Sequence, residues 1–257
     1  MKTFCAALFP SAARLACLLI CMPLCANVQA MAPIATEWSR ADIGKLKRLY
    51  LAETLQPPPD PSNRVADDAL AAAFGRAIFF DKRFSANGEF SCASCHQPEK
   101  DFTDGRARSK GMVPTLRNAP TVISAANYKW YYWDGRRDSL WSQALIPFEA
   151  ADEMGSSRVS VLKIVIADAV YREQYRTIFG PLPAGEWIAA LPDRAGPFGD
   201  LATRTAWYRI DNSQRAQINT FYANIGKSVA AFERSLRHEP TRFDRYASAL
   251  IARAEDN

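Results

Sequence analysis

The chain has 257 residues, 48% of them apolar and 23% charged, with a formal net charge of +5. That is enough for one sizeable domain or two small ones, and it excludes a disordered or low-complexity chain. The modest positive excess, interspersed with acids, excludes the concentrated basic face of a nucleic-acid-binding protein.

Residues 1–30 read as a secretory signal. Lys2 and Arg14 precede an apolar stretch over 15–24, and small residues follow up to Val28-Gln29-Ala30, where cleavage is expected. The stretch is too short to span a bilayer, which needs roughly twenty apolar residues, and no later segment supplies such a run, so the mature protein is expected in the periplasm with no integral membrane segment. A retained signal anchor is the competing reading, and Leu24 before Cys25 argues against a lipid anchor. Removing the leader takes away two positive charges and no acid, leaving +3, and also four of the six cysteines, so Cys92 and Cys95 are the mature pair.

Residues 31–64 are expected as an N-terminal extension, helical over 38–55 and then stiffened by Pro57-Pro58-Pro59-Asp60-Pro61, which cannot continue a helix. The haem domain is expected over 65–250. Its first helix covers 65–80, with Leu70, Phe74 and Ile78 four apart on a core-facing stripe beside Ala73 and Ala77. Residues 81–118 read as loops, rich in Gly, Asn, Asp, Ser and Pro, and long ordered loops usually hold something. Helical spacing returns over 139–148 and over 157–179, with a break near Asp168. The stretch 181–210 has poor periodicity and reads as a surface excursion or insertion. The clearest helix comes last, with Ser213 as N-cap and Ile218, Phe221, Tyr222, Ile225, Val229, Phe232 and Leu236 on one buried face. No strand alternation appears, so the expected class is all-α: a cytochrome c-like haem domain with long loops and an extra C-terminal helix.

The segment Cys92-Ala93-Ser94-Cys95-His96 carries the chemistry. Two thiols spaced C-x-x-C can each add across a haem vinyl group, and the next imidazole is then placed on the iron. A thioredoxin-like pair wants a neighbouring β-α-β pattern, which is missing; a zinc site wants four protein ligands, and the mature chain offers two cysteines and two histidines; a plain disulfide makes no use of His96. Export supports haem, since c-type haem is attached outside the cytoplasm. Opposite His96, Met112 is a candidate sixth ligand, because a thioether on iron marks electron-transfer cytochromes. His238 is the only other histidine. With neither bound, the iron is open to a small molecule.

From about residue 73 to 155 the sequence resembles the bacterial di-haem cytochrome c peroxidases and their MauG relatives. The resemblance rests on Gly75-Arg76-Ala77-Ile78-Phe79-Phe80-Asp81, Phe84-Ser85-Ala86-Asn87-Gly88, Ser91 to His96, Phe102-Thr103-Asp104-Gly105, Arg117-Asn118-Ala119-Pro120-Thr121, Trp133-Asp134-Gly135-Arg136 and Asp138-Ser139-Leu140, in family order. Looser echoes follow at Ala231-Phe232-Glu233-Arg234 and Phe243-Asp244-Arg245-Tyr246.

The resemblance implies a peroxidatic haem c held by Cys92, Cys95 and His96, with hydrogen peroxide as substrate. It also implies Glu153 as the distal acid-base, Gln143 as the distal amide and Pro147 as a lining residue. A carboxyl beside the iron has a clear chemical sense, because O–O heterolysis needs a proton on the departing oxygen; from the residues alone, Glu149 is as good a candidate as Glu153. Trp133 matches a tryptophan between two haems, and its alternative is a large core residue. Asn118 matches a residue near a calcium ion whose other ligands come from the family's second domain.

The chain departs from the pattern in reaching Asn257 without a second C-x-x-C-H. The expectation is a truncated product, half of a split system in which a partner chain brings the second haem domain, or a single-haem variant. No distal histidine is present to close the haem. Two function classes remain: a peroxidase fed by a small cytochrome c or cupredoxin, or oxidising a protein in the MauG manner, and a mono-haem electron carrier with His96 and Met112 as ligands.

Overall fold

The computed structural model describes residues 38–49 and 56–256. The leader, on which the export reading rests, lies outside them, as do residues 50–55 of the expected first helix. The described residues fall into two units, 38–49 with 250–256 and 56–249. No strand occurs among them, only three isolated bridges, and none of their helices is long and apolar enough to cross a membrane. In the smaller unit, α1 (Arg40–Leu49) starts at Ser39, whose backbone carbonyl accepts from Ile43, and Lys47 pairs with Glu255.

The larger unit begins in earnest with α2 (Ala69–Phe80). Asp68 caps it by accepting from the Leu70 and Ala71 amides, so the helix starts four residues later than the apolar spacing suggests. The buried stripe is Ala71, Phe74, Gly75, Ile78 and Phe79, whereas Leu70, in the first turn after the cap, is exposed. Next comes α3 (Cys92–Cys95), a single turn inside the long loops. Then follow α4 (Leu140–Glu149), α5 (Arg158–Ala167) and α6 (Ala169–Phe179). The expected break at Asp168 is there: that residue ends α5 with its amide and starts α6 with its carboxylate, which accepts from Val170 and Tyr171.

The stretch 181–210 is not a surface excursion. It holds α7 (Leu201–Arg209), capped by Asp200, and sends Leu191, Ala195, Trp207 and Ile210 into the core. Leu191 and Ala195 pack on the core from irregular chain ahead of this short helix, so the helical period fails there while the burial holds. The long helix α8 (Asn212–Ser235) is capped by Asp211 rather than Ser213, whose amide and hydroxyl both donate to that carboxylate. An α9 helix (Arg242–Glu255) closes the chain.

The frame of the larger unit is α8 crossed by α2 and α4. At the α2 crossing, a Cβ on Gly75 would sit 1.8 Å from the Ser228 carbonyl oxygen, so only glycine allows the two backbones to meet. At the α4 crossing, the Tyr222 hydroxyl donates to the Leu145 carbonyl across 2.7 Å. Phe74, Phe79, Phe84, Phe148, Phe221 and Tyr222 fill the space between, all at most 2% exposed. The short cysteine turn sits beside this frame, within reach of both α4 and α8.

Candidate active site

The cysteine motif forms one helical turn, with the His96 amide donating to the Cys92 carbonyl at 2.9 Å and the Ser91 amide to Ser94 Oγ at 3.0 Å. Positions i, i+3 and i+4 share a face, so Cys92, Cys95 and His96 point to one place. Both thiols are free. Burial pushes both thiol pKa values up, that of Cys95 to about 11, which keeps them as neutral thiols.

The loop after the turn fixes the imidazole. Asp101 and Phe102 both take left-handed backbone, at φ 52° and 57°, a conformation costing on the order of 1–2 kcal/mol per residue. It brings the Phe102 carbonyl to 3.0 Å from His96 Nδ1. A ring that donates Nδ1–H to a carbonyl keeps the Nε2 lone pair for a metal. Burial also lowers the His96 pKa, against the pull of the Phe102 and Pro120 carbonyls and Asp104, which favours the neutral, ligating form.

These three side chains open onto a narrow cavity of about 40 Å³, well below the roughly 300–1,000 Å³ of small-molecule sites. Its other walls are Gln143, Ala144 and Pro147 from α4, Glu153 and Met154 from the turn after it, and Val229 and Glu233 from α8. Two free thiols, an oriented imidazole and apolar walls form a donor set that fits a covalently attached haem.

Glu153 is placed by backbone. Its carbonyl accepts from the Met112 amide at 2.9 Å, and its amide donates to the Ala150 carbonyl at 3.1 Å. Gly111 makes the first contact feasible, since a Cβ there would lie 2.4 Å from the Asp152 carbonyl oxygen. Burial, with Asp152 adding repulsion and Arg136 pulling the other way, pushes the Glu153 carboxyl up to about 7. Glu149, equally eligible from sequence, is elsewhere. It is buried against Arg158, Oε2 to Nε 3.2 Å, and lines a different cleft with Arg136, Arg137 and Tyr222.

The other expected site residues are dispersed. Met112 does not line the cavity; its Cγ lies 3.4 Å from where a Cβ on Gly155 would be. The methionine that does belong to the lining is Met154, buried at 3% exposure. Trp133 is 60% exposed, so it is not the large core residue of the alternative reading. It sits in a turn closed by the Tyr131 amide donating to the Arg137 carbonyl, with Arg136 stacked 3.6 Å over the Tyr132 ring. Asn118 and His238 are exposed. Among the described residues no group of three or more His, Cys, Asp or Glu could hold a metal ion.

Sequence reasoning missed Glu233, which lines the cavity at 4% exposure, and Tyr132, whose hydroxyl donates to the Gln143 carbonyl. A signal existed for the first: Ile225, Val229 and Glu233 are four apart, so an acid occupies a position of the buried stripe.

Comparison with known proteins identifies the family and the fold. A family model described as di-haem cytochrome c peroxidase matches residues 69–250. Methylamine utilization protein MauG of Methylorubrum extorquens is 38% identical over 158 residues, 60% of this chain and 44% of that protein. The cytochrome c551 peroxidase of Nitrosomonas europaea is 36% identical over 116 residues, 44% of this chain and 35% of that one. Among solved structures, a MauG-like protein associated with microbial copper homeostasis superposes with a TM-score of 0.53 at 28% identity, covering 76% of this chain and 48% of its own. The diheme peroxidase BthA from Burkholderia thailandensis E264, at 21% identity and a TM-score of 0.51 over 74% of this chain and 43% of its own, shares the fold. The chain spans less than half the length of each of these relatives.

Proposed function

Since the chain belongs to the di-haem cytochrome c peroxidase family, we propose that it carries a haem c on Cys92 and Cys95, with His96 as proximal ligand, and reduces hydrogen peroxide. The observation that carries this reading is Glu153: a carboxyl held near neutrality on the wall of the cavity that also contains the two thiols and the imidazole. When bound, haem iron supplies an open coordination position and the electrons for O–O cleavage.

The chain's own residues do the rest. His96 donates Nδ1–H to Phe102, which fixes the ring and enriches Nε2, the atom that would ligate the haem iron. Glu153, ionised, takes the proton from one peroxide oxygen and returns it to the other as that oxygen departs; a positioned acid-base contributes about 10²–10⁴ in rate. Gln143 offers an amide for orienting peroxide, and Ala144, Pro147 and Val229 keep the site dry. The overall reaction takes up two electrons and two protons and releases two waters.

Electrons come from a small cytochrome c or cupredoxin, or from a protein oxidised in the MauG manner. The exposed indole of Trp133 supports a surface entry point, since an exposed aromatic can relay charge toward the cavity. A second haem, in a further domain or partner chain, would face that indole, and Asn118 would supply one oxygen to a calcium ion completed from the same source. The periplasm is the compartment that the leader and haem attachment both suit.

The optical spectrum of the purified holoprotein tests this. A ferric, high-spin haem that binds cyanide and reacts with peroxide is expected. A low-spin haem with a methionine-to-iron charge-transfer band that disappears in Met112→Ala would replace this reading with an electron carrier.

A further inference from the structure

Glu233 is the one cavity-lining carboxyl that the proposed reaction does not use. It is 4% exposed, and its Oε2 has no hydrogen-bond partner. The adjacent cation does not serve it: Arg234 is committed to Asp67 at 2.8 Å and to the Pro58 carbonyl at 2.9 Å. The nearby titratable groups are the Cys92 thiol and the Tyr131 phenol, both of whose pKa values Glu233 raises. Burial pushes the Glu233 carboxyl up to about 8.

A leucine would continue the Ile225–Val229 stripe without leaving a polar atom stranded. A buried oxygen without a partner carries its full desolvation cost, so the group that fills the cavity is expected to satisfy it. The only hydrogen-bonding groups on the periphery of a haem are its two propionate carboxylates. An ionised glutamate would repel a propionate, whereas a glutamic acid kept neutral by burial donates to it through a charge-assisted hydrogen bond.

We propose that Glu233 is a haem-contacting residue whose carboxyl group hydrogen-bonds to a haem propionate. The assignment rests on haem attachment at Cys92 and Cys95. It makes α8 a direct partner of the cofactor through Glu233 as well as through Val229, and it explains why an acid occupies the buried stripe.

The test uses holoprotein made with haem carrying ¹³C in its propionates, comparing wild type with Glu233→Gln and Glu233→Leu. Infrared difference spectra, covalent haem per chain and the reduction potential are read in parallel. The expected result is a labelled propionate band that moves in both variants, and a protonated-carboxyl band that is lost from both. The leucine variant is also expected to show a severalfold fall in haem per chain, or a changed potential where attachment is complete. The inference is overturned if the labelled band keeps its position in Glu233→Gln, which folds with nearly the same shape even if the leucine variant does not. A wild-type protein without covalent haem would instead overturn the haem reading itself.

Discussion

The Tyr132 hydroxyl donates to the Gln143 carbonyl across 3.2 Å, at the one carbonyl of α4 that Pro147 leaves without its helical partner. Proline at i+4 has no amide to give, so the phenol of the Trp133 turn takes that place and ties the turn to the helix that carries Gln143. Tyr132 holds this position at φ 68°, a left-handed conformation unusual for an aromatic residue.

Removing that hydroxyl in Tyr132→Phe is expected to cost about 1 kcal/mol in a denaturant titration and to slow the peroxide reaction by less than about tenfold, the factor that 1.36 kcal/mol represents. In a Pro147→Ala background the helix recovers its own donor. The same substitution should then cost measurably less, a coupling that a double-mutant cycle reads directly.

The α2–α8 crossing makes a second prediction. Gly75→Ala places a methyl group 1.8 Å from backbone oxygen, with no flexible side chain to yield. Overpacking typically costs about 1–3 kcal/mol, and a backbone clash belongs at or above the top of that range. Loss of the folded protein, or a melting temperature lowered by several degrees, is the expected outcome; an unchanged melting curve would mean the helices cross elsewhere.

Much of this architecture was legible in the sequence, where residue type and period agree. The apolar stripe of α8, the break at Asp168 and the cysteine turn are all local patterns. Leu70 was misread because periodicity does not reveal that Asp68 caps one turn later, and 181–210 because its only α-helix is short and buries few residues, while Leu191 and Ala195 pack from irregular chain. The cavity was half legible. Cys92, Cys95 and His96 follow from spacing, but choosing Glu153 over Glu149 without the family resemblance depends on which acid meets Arg158, a contact nine residues apart across a turn. Tyr132 and Glu233 act through tertiary contacts, and only the misplaced acid in the stripe hinted at the second.

The Glu149–Arg158 pair supports α4 and α5 rather than the chemistry. Arg158 also donates to Asn219 and stacks over Tyr222, 5.0 Å from its centroid. Arg158→Ala strands a buried carboxylate, and breaking one side of a buried pair costs about 3–5 kcal/mol. Thermal denaturation should show that loss, while the folded fraction of Glu149→Gln should still react with peroxide at near the wild-type rate.

Stability should also fall on the alkaline side. Glu153 and Glu233 are raised by burial to about 7 and about 8 from 4.5. The folded chain therefore holds protons that the unfolded chain has released; their contribution is complete below pH 4.5 and is lost as pH rises through 7 and then 8. Asp81 acts oppositely: burial raises it, but the hydrogen bonds from Arg83 and Tyr171 outweigh that and hold it low, so its contribution is lost in acid. Denaturation midpoints should decline between about pH 5 and 8, and Glu153→Gln should flatten the lower part of that decline.

Rapid mixing of ferric Glu153→Gln with hydrogen peroxide tests the central claim most directly. With covalent haem content and cyanide binding retained, its peroxide reaction should fall by at least about 100-fold, and the wild-type rise in rate through pH 7 should vanish. A variant that reacts as fast as the wild type, with the same pH profile, would contradict the assignment of Glu153 as the acid-base.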